Sequence, residues 1–253
     1  MPFQTTIGRM TSVEFFAAMP PGLFSFLVFY ACLASGLEGK SPPSIWGYLM
    51  VLSDALKQSP PMIFIVVFGA YLFGSIIRSM PVQWAESITS RGRSNFPYPS
   101  ILCGMIDQIA AERRASGLHP EHLPNVGVLS TSTFNYWKDC VCIREPQAFV
   151  FYQSFEARSR FFAGMFWAGA LGFAGSIYMA VRWHVQGGSY LPAIQLLVLS
   201  LSLILAFGLQ LHRVREQEAR VLLTLFVVVT QQSEFRSDLR ARTTGDMGSG
   251  LVQ

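Results

Sequence analysis

The stretch GMFWAGALGFAGS, residues 164–176, decides how this chain is read. Gly164, Ala168, Gly172 and Ser176 fall four apart, while Phe166, Trp167, Leu171 and Phe173 take other faces. At 3.6 residues per turn, that spacing gives a helix one stripe with almost no side chain. Between helices in lipid the hydrophobic driving force is weak. Association there relies on close backbone approach, which small residues at every fourth position permit. The stripe is expected to be a packing seam, against another helix of the chain or against a second subunit. A flexible gating helix is the less common use of such glycines.

The seam belongs to one of four long uncharged windows: Phe15–Leu37, Gln58–Ile77, Phe161–Val181 and Val185–Leu211. A hydrocarbon layer about 30 Å thick needs roughly 20 apolar residues in a helix, and each window has that length. Buried helices of soluble proteins are shorter and keep a polar stripe. Composition agrees: 51% of the 253 residues are hydrophobic and 13% are charged, where soluble domains carry about a quarter charged. The fold class expected is all-α, an integral membrane four-helix bundle with a small helical cytoplasmic subdomain. The first window also has to be weighed as a cleavable signal, with Cys32 and Ala34 at the −3 and −1 positions. Its late start behind Met19-Pro20-Pro21 and its single upstream cation, Arg9, favour a retained span.

The cations orient the windows. Sixteen of the nineteen Lys and Arg residues fall in the N-terminus (Arg9), in the loop between spans two and three (Arg78 to Arg160) and in the tail (Arg213 to Arg242). Only Lys40, Lys57 and Arg182 fall on the other side. Because Lys and Arg accumulate on the cytoplasmic side, both termini are expected to be cytoplasmic. The expected order is cytoplasmic N-terminus 1–14, first span 15–37, outer loop with an interfacial helix 38–59 and second span 60–77. A cytoplasmic helical subdomain 78–160, third span 161–181, outer turn 182–190 and fourth span 191–211 follow. Residues 212–253 form a cytoplasmic helix and a disordered tail that includes TTGDMGSG. Trp46, Tyr48, Trp84, Trp183 and Tyr190 sit near the boundaries, where such rings favour the headgroup level.

In the cytoplasmic part, Ile101, Leu102, Met105, Ile106 and Ile109 recur at helical spacing. TSTFNYWKDCVCI reads as a second helix that stops near Pro146, and YQSFEARSRFF as a helix continuous with span three. Glu216 and Arg220 stand at the favourable i,i+4 spacing. VLLTLFVVV is too short to span and is expected to pack on the cytoplasmic helices or lie at the interface.

The order of these parts resembles a loose group of bacterial four-span membrane proteins of unassigned activity. It rests on Pro20-Pro21-Gly22, AYLFGSIIRS closing span two, FNYWKDCVCIREP, and FEARSRFF leading into span three. Some proteins of that layout are associated with phage-defence or other conflict operons. The resemblance implies an interacting membrane component and supplies no site residues.

The sharpest chemical constellation is His119 and His122 followed by Cys140 and Cys142, with Cys103 upstream. Histidine and thiolate bind zinc, yet Cys-x-Cys is not the Cys-x2–4-Cys spacing of zinc knuckles and Pro120 constrains the histidines, so no metal is expected. No ionisable residue lies inside the windows, which argues against a proton-coupled pump. No phosphate-binding loop, dinucleotide glycine run, HExxH or GxSxG is present, so neither catalytic residues nor a cofactor are expected. The basic loop fits positive-inside bias and lipid headgroups rather than nucleic acid. The function expected is a non-enzymatic sensor, effector or membrane-anchored subunit, with the bilayer, further copies of itself or a cytoplasmic protein as partners. A membrane-bound enzyme or small transporter is the alternative. Reporter fusions at Ser130 and at the C-terminus should both read cytoplasmic, and a periplasmic signal from either would contradict the cation-based threading.

Overall fold

The computed structural model describes residues 2–37, 44–59, 61–89, 99–115, 131–186 and 188–248, and among these all regular structure is helical. The helices are α1 (Pro2–Leu37), α2 (Ile45–Gln58), α3 (Pro61–Ser79), α4 (Val82–Thr89), α5 (Pro99–Ala115), α6 (Thr131–Arg144), α7 (Pro146–Gln186) and α8 (Leu191–Gly248). Four stretches are long and apolar enough to cross a membrane: Ala17–Ser35 of α1, all of α3, and parts of α7 and α8.

Local chemistry sets the helix ends. Ser44 caps α2, its Oγ accepting the Gly47 N–H at 3.3 Å. Prolines open α3, α5 and α7, where a missing N–H costs nothing. The turn before α8 closes with the Gly188 N–H on Trp183 O at 3.1 Å and the Leu191 N–H on Ser189 Oγ at 3.2 Å. Two ends differ from expectation. α1 begins at Pro2 rather than near residue 15 and carries Pro20 and Pro21 inside it. Each proline removes one backbone donor, and the Ser25 hydroxyl donates to Pro21 O at 2.9 Å within the same stretch. α8 continues as helix through TTGDMG to Gly248, so the part of the tail expected to be disordered is helical up to that residue.

The chain divides into two units, and α7 and α8 contribute residues to both. Unit 1 comprises residues 1–93 and 154–214, which places α4 with the apolar helices rather than with the rest of the 78–160 segment. Its interior mixes small and aliphatic residues with a few aromatic ones. Val28, Ala31, Tyr48, Met179, Ala193 and Leu196 form one cluster, and Ala85, Ala163, Phe166 and Leu211 form another. Many of its large apolar side chains point outward, among them Phe64 (78% exposed) and Phe68 (63%) of α3 and Leu205 and Leu209 of α8, while others such as Ile77, Met179 and Leu211 are buried.

Unit 2, residues 94–153 and 215–253, has the opposite character. Trp137 of α6 and Tyr152 of α7 are fully buried with Leu222, Leu223 and Phe226 of α8. Trp137 and Phe226 stack with ring centroids 5.8 Å apart. Met105 and Ile109 of α5 close the same cluster around Ile106. VLLTLFVVV therefore supplies this core, packing on α5, α6 and the first turns of α7.

Candidate functional site

Two places in the molecule concentrate unusual chemistry: the close helix approaches of unit 1 and a buried ionic group in unit 2. All four stripe residues, Gly164, Ala168, Gly172 and Ser176, are buried. A Cβ on Gly164 would stand 3.2 Å from Pro21 Cγ of α1. One on Gly172 would collide with Ser200 Oγ of α8 and lie 3.0 Å from the Phe24 ring of α1. The Ser176 hydroxyl donates to Phe173 O at 2.7 Å, satisfying itself on its own helix. The stripe thus lies against α1 and α8 of its own chain. Gly169 and Gly175, outside the four-residue spacing, are equally hemmed in. A Cβ on Gly169 would lie 3.1 Å from Ser200 O, and one on Gly175 2.7 Å from Val28 Cγ1. The small face of α7 is two residues wide because two helices rest on it.

The tightest approach lies elsewhere, between α1 and α3. A Cβ on Gly22 would fall on the carbonyl oxygen of Ala70 and 2.6 Å from Gly74 N. One on Gly74 would fall on the carbonyl oxygen of Ala18. Each glycine therefore aims a Cα–H bond at a carbonyl across the interface, a reciprocal weak hydrogen-bond geometry found where helices touch. The sequence carries this as Ala18-x3-Gly22 and Ala70-x3-Gly74, the small-residue spacing of lipid-embedded helix pairs. Gly69, the other glycine of α3, does not take part in it. Gly69 is instead covered by the Phe26 ring, 2.7 Å from where its Cβ would be.

Of the zinc constellation, His119 and His122 lie outside the described residues. Cys103 and Cys140 are half-buried and Cys142 is exposed. Among the described residues no group of three His, Cys, Asp or Glu side chains converges. Cys140 bonds the Tyr136 hydroxyl and, with its charge and partial burial, holds that hydroxyl above the ordinary tyrosine range against the opposing pull of Arg144.

The ionic group centres on Glu218, 1% exposed in the core of unit 2. The Tyr152 hydroxyl donates to its Oε1 at 2.9 Å and Arg215 Nη1 to its Oε2 at 2.5 Å. Arg215 also lies 5.9 Å from the centroid of the Phe134 ring, and Lys138 Nζ 5.5 Å from that of Tyr152. Sequence reading singled out Glu216–Arg220 two residues away, and that pair does form, at 2.6 Å on the surface. Glu216 and Glu218 look alike in the sequence, but the helix turns them to opposite sides. Both oxygens of Glu218 are engaged, so its chemistry is to pin the first turns of α7 to α8.

No protein-family model, curated protein or solved structure matches this chain. Its class follows from the fold alone: an all-helical protein with four helices long and apolar enough to cross a membrane. Glu218→Ala should lower the stability of unit 2 by about 3–5 kcal/mol, because it leaves the nearly buried Arg215 guanidinium without its carboxylate. Glu216→Ala should change it by less than about 1 kcal/mol, as an exposed pair. Thermal or denaturant melts of the two variants check this, and equal losses would contradict it.

Proposed function

We propose that the chain is a polytopic inner-membrane protein with both termini and unit 2 on the cytoplasmic side. It acts without catalysis, as a sensor or effector or as a membrane-anchored subunit, through self-association or a cytoplasmic partner. The observation that carries the membrane part is the outward apolar face of unit 1. Glycines and alanines line its closest helix contacts, while Phe64, Ile65, Phe68 and Ile76 of α3 face outward. In water so much exposed apolar surface drives aggregation; in lipid it is the solvent-matched surface. The cation split supports the orientation.

The non-catalytic part rests on the sequence, which carries no recognised catalytic motif; the buried carboxylate of Glu218 is in turn closed by its two donors. Self-association, in this reading, uses the outward faces of α3 or α8, because the stripe on α7 is already covered by α1 and α8. The layout resembling phage-defence membrane proteins favours an effector that disturbs the membrane when triggered. Raised expression in bacteria carrying a voltage-sensitive dye should depolarise the cells and slow growth. Normal potential and growth at matched membrane levels would contradict the effector reading.

A further inference from the structure

α2 is fastened at its start and leaves a space beneath it. The Ile45 N–H donates to Gln195 Oε1, in the first turn of α8, at 2.9 Å. One turn further along α8 lies an apolar cavity of about 70 Å³. Leu27 and Ala31 of α1, Tyr48 and Leu49 of α2, and Leu196 and Leu199 of α8 are among its walls. Tyr48 and Leu196 are buried at the back, while Leu199 is 45% exposed at the mouth. Val198 and Met50, the sequence neighbours of the lining residues Leu199 and Leu49, are exposed and apolar as well.

Three properties define what fits. So apolar a space does not hold water, which needs two to four polar partners. Its volume is roughly half of the ~150 Å³ that admits a benzene ring, so a short run of flexible chain fits and a ring does not. No lysine or arginine lines it, so nothing there would meet the carboxylate of a free fatty acid. A phospholipid brings only methylenes to this depth and keeps its headgroup about a turn away, level with Gln195 and the capped start of α2. We propose that the cavity beneath α2 seats a segment of the acyl chain of a bilayer phospholipid. α2 then acts as a lid whose packing depends on that chain, which gives unit 1 a contact that responds to lipid. This inference rests on the four-span reading above.

The test uses the full chain in phosphatidylcholine vesicles doped with phosphatidylcholine that carries a mid-chain diazirine, with crosslinks mapped by peptide mass spectrometry. Leu49 and Leu199 should be labelled along with Phe64 and Phe68 on the outward face of α3. Leu199→Trp, which fills the mouth, should reduce the label at Leu49 several-fold and leave Phe64 and Phe68 unchanged. Leu49→Phe, read at Leu27, gives the same result from the lid side if the first variant fails to insert. Label at Leu49 that does not respond to filling, or its absence while α3 is labelled, overturns the acyl-chain site alone. Absence of label at α3 as well overturns the four-span reading and this proposal with it. An unlabelled free fatty acid that displaces the Leu49 label while leaving Phe64 and Phe68 labelled would overturn the assignment to phospholipid.

Discussion

Two helix backbones meet at Gly22 and Gly74 with no side chain between them. Van der Waals contact and paired Cα–H···O geometry hold such a crossing, the kind of contact that also works where lipid offers helices little hydrophobic reason to associate. The rest of unit 1 follows from it. With Gly22 fixed against Ala70 and Gly74, α1 has one rotation about its axis, and its next residues are aimed at α7. Pro21 faces Gly164, Phe24 faces Gly172, and Val28 and Cys32 face Gly175. The Cys32 thiol lies 3.8 Å from Gly175 O, on the same line of contacts. α8 then reaches the other side of the small face through Ser200 and Ile204 beside Gly169. α1 is thus the helix on which α3 and α7 are both registered, and the glycines of α7 are small because α1 and α8 are already in place.

The two units solve the packing problem in opposite ways. Unit 1 brings backbones together at glycines and alanines and leaves many large apolar side chains on its outside. Unit 2 keeps bulk inside, with Trp137, Tyr152 and Phe226 at its centre. It admits one buried carboxylate, whose desolvation is offset by a guanidinium and a phenol. The same helix, α8, changes idiom along its length. Leu205 and Leu209 are exposed in the first unit, and Leu222 and Leu223 are buried in the second.

Much of this was legible in the sequence, and the misses have physical causes. Charge-free length picked out the long apolar helices, and the window 60–77 nearly coincides with the helix Pro61–Ser79. The continuity of YQSFEARSRFF with span three was readable because neither proline nor glycine interrupts it, and α7 runs unbroken from Pro146. The start of α1 was not, because Pro20-Pro21 reads as a boundary in water, whereas a packed helix carries it through. Ala18-x3-Gly22 was overlooked beside those prolines, although its spacing was there to be seen. Glu218 could not be told from Glu216 by charge or spacing, since only the packing of α7 decides which face of α8 is inside. The cavity under α2 was beyond reach, because it depends on how Tyr48 and Leu196 fill space.

Glycine-to-alanine substitution tests the central contact most directly, because its sign is at stake. In an ordinary exposed helix the change stabilises by about 0.4–1 kcal/mol, and Gly104 of α5, with open space around its Cα, should behave that way. At Gly22 the added methyl lands on the Ala70 carbonyl, and overpacking of that kind costs about 1–3 kcal/mol. Melting of the purified chain in detergent should therefore show Gly22→Ala below the parent and Gly104→Ala at or above it. A Gly22→Ala variant that melts at or above the parent would contradict the backbone contact on which this account of unit 1 rests.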